Sequence, residues 1–276
     1  ISSFSQELDK ILHGNETINL SEYSEGELAI LQNEVSKLSI QLREQAENLI
    51  NDKIFLTDAI ADISHQIRTP LTSLNLIISF LSKPTLTDER RFSLVKEAET
   101  LLTRIDWLIS VLLKMSKLDS GTANLIKETV DVKNLINRAT ASIAIPMELR
   151  EQQLVTHFES EPSFTGDLQW TVEAVENILK NCMEHTPRGG IITVRANENA
   201  IYTEIVISDN GVGINKEDLL HLFDRFYKGK NSSSQSFGIG LALARMIIVS
   251  QNGTIKAENN PAGGAVFTIR FYKGVV

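Results

Sequence analysis

Apolar residues recur at alternating three- and four-residue steps through Leu28, Leu31, Val35, Leu38 and Leu42, then through Leu49, Leu56, Ala59 and Ile63, with Gln45 and Asp52 as polar members. That is a heptad seam, and it predicts one long helix made to lie against another. The stripe continues through Leu74, Ile77, Ile78 and Leu81. At Lys83-Pro84-Thr85-Leu86-Thr87-Asp88 it stops: Pro84 disfavours helix at the residue before it, and Thr87 or Asp88 can cap the next one. A second run, Leu94, Ala98, Leu101, Ile105, Leu108, Leu112 and Met115, predicts a second helix with Gly121 as its terminator. Two helices joined by a short turn make an antiparallel hairpin. Each exposes more apolar stripe than one partner covers, so two hairpins are expected to pair into a four-helix bundle, and the chain to be a homodimer.

Beyond Gly121 the pattern changes class. Of 15 glycines, only Gly14, Gly26 and Gly121 fall at or before that point. A short strand is predicted over 127–132, a helix over 133–150, a strand over 152–159 and a long helix over 167–185. Ile191 to Ala196 and Ile201 to Ser208 alternate like paired strands. A polar stretch from Asn215 to Ser236 precedes a helix starting near Gly238, and Thr254 to Ala257 with Val266 to Phe271 close as a hairpin. Strands with helices on one sheet face predict a two-layer α/β sandwich. The fold class expected is multidomain: an all-α hairpin forming a dimeric four-helix bundle, then the sandwich.

Composition narrows the function classes. A length of 276 residues with 42% hydrophobic content allows two ordinary domains with real cores. The formal charge of −8 argues against a general nucleic-acid surface, so no direct nucleic-acid partner is expected. Cys182 is the one cysteine, which excludes an intrachain disulfide and fits a reducing cytoplasm. No apolar run approaches the roughly 20 residues of a membrane-spanning helix. The start at Ile1, without methionine, leads to the expectation of a longer protein. Residues 1 to 27 carry only a loose helical pattern in Ile1, Phe4, Leu8 and Ile11-Leu12.

Four stretches carry candidate chemistry. Asp62-Ile63-Ser64-His65-Gln66-Ile67-Arg68-Thr69-Pro70-Leu71 puts His65 two residues round the helix from the seam, near the watery face. Pro70 removes an amide donor and crowds the carbonyl of Gln66, so the helix is expected to bend just past the histidine. A surface histidine beside a structural proline reads the same way. Asn177 and Asn181, at i and i+4, share a helix face, and neutral amide oxygens suit a hard cation such as Mg²⁺. A solvated face accounts for them equally. Ser208-Asp209-Asn210-Gly211-Val212-Gly213-Ile214 follows a predicted strand, where Asp209 can accept from an adenine amino group and the glycines let backbone approach the base. A strand-ending turn does so as well. Phe237-Gly238-Ile239-Gly240-Leu241 opens an apolar helix whose N-terminal amides can face phosphate.

In this order the stretches resemble a known family. The histidine run is similar to the phosphoacceptor box of sensor histidine kinases at Ser64, His65, Arg68, Thr69, Pro70 and Leu71. The asparagine pair, Asp-x-Gly-x-Gly, Leu222-Phe223-Asp224-Arg225-Phe226-Tyr227 and the glycine-opened helix look like the N, G1, F and G2 boxes of their ATP-binding domain, a sandwich of the GHKL type shared with gyrase and the mismatch-repair ATPases. No Gly-x-x-x-x-Gly-Lys-Ser/Thr segment exists, which excludes a P-loop. The resemblance covers roughly 55–272. It implies a juxtamembrane or coiled-coil signalling helix over 1–54, a dimerisation and phosphotransfer domain over 55–121 and a catalytic ATP-binding domain over 122–276. It also implies the cytoplasmic portion of a cell-membrane protein, attached through an N-terminal segment absent from this chain.

The resemblance implies roles for single residues. Asn181 would ligate Mg²⁺ with Asn177 nearby, Asp209 would hold adenine, and Gly211 and Gly213 would shape its pocket. Gly238 and Gly240 would face the phosphates, Arg225 would meet the γ-phosphate, and Phe223 and Phe226 would hinge a lid over 228–236 expected to be mobile without nucleotide. His65 would take the γ-phosphoryl group from Mg-ATP and pass it to an aspartate of a response regulator, with dephosphorylation of that regulator as a further expectation in which Thr69 helps place water. Relatives usually carry Glu or Asp after the histidine, where this chain has Gln66; an amide oxygen can orient the Nδ1 proton but cannot remove it. Glu184 stands where relatives often have a lysine, with Lys180 or Arg188 as possible substitutes, and Ser236 and Phe237 replace the usual small residues before Gly238. These departures keep open an alternative, a nucleotide-binding dimerisation scaffold with weak or no kinase activity.

Overall fold

A computed structural model describes residues 27–83, 86–229 and 237–274. The expectations for residues 1–26, for Pro84 and Thr85, and for 230–236 lie outside the described residues, as do the side chains of the seam positions Leu28, Leu31, Asp52, Leu56 and Ala59. The described residues form two compact units that part between His65 and Gln66.

The first unit is helical from Glu27, the start of α1 (Glu27–Leu81). Of its expected seam positions, Val35 and Ile63 are half-buried. Leu38, Leu42 and Leu49 remain 56%, 65% and 69% exposed, so this stripe is uncovered on the single chain. The helix runs unbroken through Pro70.

In the second unit, α1 ends at Leu81 and α2 (Asp88–Asp119) follows. The Thr87 side chain accepts from the amide of Arg90, and Asp88 and Glu89 place negative charge in the first turn, where the helix dipole favours it. Gly121, at φ +65°, ends the helix in the left-handed region. The α2 residues Leu108, Val111 and Met115 are buried in the same core as the sandwich that follows. An ion pair of 2.6 Å from Lys114 to Glu173 and one of 2.7 Å from Arg225 to Asp119 flank that seam.

The sandwich comprises β1 (Glu128–Asp131), α3 (Val132–Ala141), α4 (Ala144–Leu149), β2 (Gln153–Phe158), β3 (Ser163–Gly166), α5 (Leu168–His185), β4 (Ile191–Glu198), β5 (Tyr202–Asp209), α6 (Lys216–His221), α7 (Gly240–Ser250), β6 (Gly253–Asn259) and β7 (Ala265–Tyr272). Five strands form one sheet in the order β2-β4-β5-β7-β6, parallel only between β2 and β4; β1 and β3 pair separately. Alternation sets the layers. Ile192, Val194 and Ala196 of β4, Ile205 and Ile207 of β5, and Phe267, Ile269 and Phe271 of β7 all turn to the side buried with the helices. The packing of α5 on α7 and of α3 on α5 completes the second layer.

The observed elements differ from the expected ones in places. The helix over 133–150 is two, because Pro146 has no amide to donate to Ser142 and is accommodated in the first turn of a new helix. The strand β3 has no counterpart in the sequence pattern, since four residues are too few to show a period. The polar stretch after Asn215 contains α6, a six-residue helix with Glu217 and Asp218 in its first turn, and the glycine-opened helix, expected near Gly238, starts at Gly240.

Candidate functional site

Between α5, the end of β5, α7 and the face of α2 lies a cavity of about 600 Å³. Asp209 ends the buried series of β5, and that alternation turns its carboxylate inward at 5% exposure. Its Oδ1 accepts from the amides of Gly211 at 2.9 Å and Ala265 at 3.2 Å. Beneath it, burial and then the charge of Asp209 push the Cys182 thiol well above its usual range. Cys182 is fully buried, as a small core residue should be.

One helical turn apart, Asn177 and Asn181 both line the cavity from α5. The Asn177 amide donates from Nδ2 to the carbonyl of Glu173 at 2.9 Å, which fixes its orientation and sets Oδ1 against Gly240. Gly240 opens α7 with no side-chain cap, so its first turn presents backbone amides. Gly238 has φ +68°, and a Cβ there would stand 2.3 Å from the carbonyl oxygen of Tyr227. No other residue fits that approach without moving backbone.

Of the residues expected at the site, Asn177, Asn181, Asp209, Gly213, Gly238 and Gly240 are brought together around the cavity. Gly211 stands one step outside its lining, under the α5 terminus: a Cβ there would be 2.3 Å from the His185 carbonyl oxygen. Phe223 and Phe226 pack half-buried against the core rather than on the cavity, Phe226 in the left-handed region at φ 63°. Arg225 does not reach the cavity in this arrangement. Its Nη2 donates to Asp119 Oδ1 at 2.7 Å, because the turn that carries it faces the C-terminal end of α2, where that carboxylate stands. On α1, His65 is exposed, Gln66 half-buried and Thr69 exposed. Lys180 lines the cavity together with Glu184, whereas Arg188 is paired with Glu151.

The cavity also has a wall that the sequence reading does not include. Thr100, Thr103, Arg104 and Trp107 line it from α2. Their i, i+3, i+4, i+7 spacing marks one helix face, opposite in character to the apolar stripe, and is the signal the sequence offers for it. Trp107 stacks on Phe237 with ring centroids 5.7 Å apart. At the base of the next segment, Asp218 accepts from the Tyr227 hydroxyl at 2.7 Å and from Asn215 Nδ2 at 3.2 Å, and the first of these contacts raises the Tyr227 phenol above its usual range.

Residues 166–274 match the family described as histidine kinase-, DNA gyrase B- and HSP90-like ATPase, and residues 55–121 match the His Kinase A (phospho-acceptor) domain. Fold and site thus define an ATPase sandwich joined to a phospho-acceptor helical segment. Sensor histidine kinase YclK of Bacillus subtilis is 26% identical over 277 residues, covering 98% of this chain and 58% of the relative. Heme sensor protein HssS of Staphylococcus saprophyticus is 26% identical, covering 99% of this chain and 57% of the relative. Among solved structures, Acinetobacter baumannii histidine kinase AdeS matches at a TM-score of 0.63 and 22% identity, over 76% of this chain and 98% of that one. Histidine kinase ThkA, solved in complex with response regulator protein TrrA, matches at 0.66 and 19% identity, over 84% of this chain and 65% of that one. The chain belongs to the sensor histidine kinases of two-component systems. It spans a little over half the length of these curated relatives.

Proposed function

We propose that this chain autophosphorylates His65 from Mg-ATP and passes the phosphoryl group to an aspartate of a response regulator, with dephosphorylation of that regulator as a second activity in which Thr69 takes part. The observation that carries this reading is the cavity itself: a buried strand-end aspartate, two aligned asparagines and an uncapped glycine-opened helix converge there in a chain that also holds an exposed histidine in a phospho-acceptor segment. Asp209 receives the adenine amino group, Gly211 and Gly213 shape the turn beside it, and the amides at Gly238 and Gly240 meet the phosphates. The lone pair of His65 Nε2 attacks the γ-phosphorus in line, the bond to the β–γ bridging oxygen breaks, ADP leaves and the Nδ1 proton passes to solvent water. Gln66 orients that proton through its amide oxygen.

A metal fits the donor set. Among the described residues no cluster of His, Cys, Asp or Glu holds a cation. Asn181, with the oriented Asn177 beside it, offers the few neutral oxygens that Mg²⁺ takes when phosphate and water complete its shell. When bound, Mg²⁺ neutralises charge developing on the phosphate oxygens.

We assign residues 55–121 to dimerisation and phosphotransfer and 122–276 to ATP binding, with 1–54 as the signalling lead-in. Leu71, Leu76, Ile78 and Phe80 of α1 and Phe92 and Leu102 of α2 are exposed, which supports a homodimer that covers them. No described helix is long and apolar enough to cross a membrane; attachment through a preceding segment is part of this proposal. Incubation with γ-labelled ATP and Mg²⁺ tests the reading. Acid-labile, alkali-stable label on the wild type and none on His65→Gln is expected. ATP binding without label instead supports the scaffold, and turnover without label an ATP-driven clamp.

A further inference from the structure

We propose that Arg104 of α2 is a nucleotide-positioning residue, a cation supplied by the second hairpin helix to the phosphate end of the cavity. This rests on the nucleotide reading above. On that reading the cavity has a base end, where Asp209 accepts from Ala265 and Gly213 lies beside Gly264, and a phosphate end, where Asn177 lies against Gly240 two residues after Gly238. Arg104 belongs to the second. Its guanidinium carbon stands 5.6 Å from the ring centroid of Phe237, the residue immediately before Gly238.

The position is built. Trp107, one turn on from Arg104, stacks on the same Phe237 ring, and Lys180 of α5 stands 6.0 Å from the Trp107 centroid. Arg104, Phe237, Trp107 and Lys180 thus form a row of two cations and two rings, with all four on the cavity wall. The helix beneath is fixed by Leu108, Val111 and Met115 in the common core and by the Lys114–Glu173 pair. Arg104 is therefore carried on a rigid element rather than a loop.

Charge gives the row its purpose. Among the described residues the sandwich lines the cavity with Lys180 and Lys228 against Glu184, Asp209 and Asp218. Glu184, one turn beyond Lys180 on α5, lines the same cavity and adds negative charge that opposes a polyanion. A triphosphate needs another cation, and a planar guanidinium that donates in a fork meets phosphate oxygens better than a point charge does. Arg104 supplies it from outside the sandwich. Grip on the phosphates and seating of α2 are then linked, and by reciprocity each strengthens the other.

Titration of the full chain with ATP, ADP and adenosine tests this by counting phosphates. Arg104→Gln is expected to weaken ATP binding roughly tenfold, the scale of one charge-assisted hydrogen bond, to weaken ADP less and to leave adenosine within about twofold. Arg104→Lys recovers part of the loss. An Arg104→Gln chain that binds ATP like the wild type, or that loses ATP and adenosine alike, overturns the proposal; equal loss would mean that the residue only shapes the wall. Failure of the wild type to take ATP overturns the nucleotide reading instead, and this inference with it.

Discussion

Two substitutions at Asp209 separate the two tasks of one carboxylate. Its Oδ1 accepts from Gly211 at 2.9 Å and Ala265 at 3.2 Å, in a side chain 5% exposed. Asparagine keeps an acceptor of the same reach, so both amides stay satisfied and the fold loses little. Alanine strands them, at about 1–3 kcal/mol for each buried group left unpaired. Water entering from the cavity meets part of that need, so a loss of roughly 2–4 kcal/mol is expected, or a fall in Tm of about 5–15 °C for a unit of this size. Toward the ligand the order reverses. In Asp209→Asn the carboxamide oxygen is held by the two backbone amides, and what it leaves for the base is its NH₂ group, a donor facing the adenine amino donor. That mismatch costs about 1–3 kcal/mol, or roughly 10- to 100-fold in affinity. Thermal melts and calorimetric titration of both variants check the two halves. Asp209→Asn binding ATP like the wild type refutes the base contact, and Asp209→Ala melting with the wild type refutes the hydrogen-bond accounting.

Gln66→Glu supplies the negative charge and base that the amide lacks, and is expected to raise the initial rate of phosphohistidine formation by about tenfold or more, toward the range of general-base catalysis; an unchanged or slower rate counts against the orienting role. Cys182 is pushed up by burial first and by Asp209 second. A thiol raised on folding contributes stability that does not vary with pH below the unfolded thiol value of about 8.5; above it the unfolded chain sheds its proton while the folded one keeps it, and stability falls. Stability of the wild type should therefore fall more steeply than that of Cys182→Ala between roughly pH 8 and 10, with parallel curves as the refuting result, and iodoacetamide should label the thiol only after denaturation.

Much of this was legible in the chain because it is local. Heptads give α1 and α2, alternation gives β4, β5 and β7, and the same alternation carried one residue further predicts that Asp209 faces inward. Glycines that must accept backbone at close range, such as Gly238, announce themselves by type. What escaped is tertiary. Arg225 finds Asp119 across 106 positions of sequence, and no spacing rule foretells that a guanidinium expected at phosphate is claimed by a helix end. The α2 wall was hidden for a related reason: Thr100, Thr103, Arg104 and Trp107 read as an ordinary solvated face until the sandwich closes over them. Phe223 and Phe226 were expected as apolar hinges, and their half-buried seats against the core are apolar, but the cavity is not what they touch.

The contact of Tyr227 with Gly238 has a meaning for how such chains diversify. Because the backbone is pinched shut at that neck, whatever is strung between the two positions is a closed ring from the standpoint of the sandwich, and doubling its contour adds only about 0.6 kcal/mol of closure entropy. The neck is thus a natural graft point, where insertions, tags or reporter dyes can be accepted while the floor of the cavity keeps its shape.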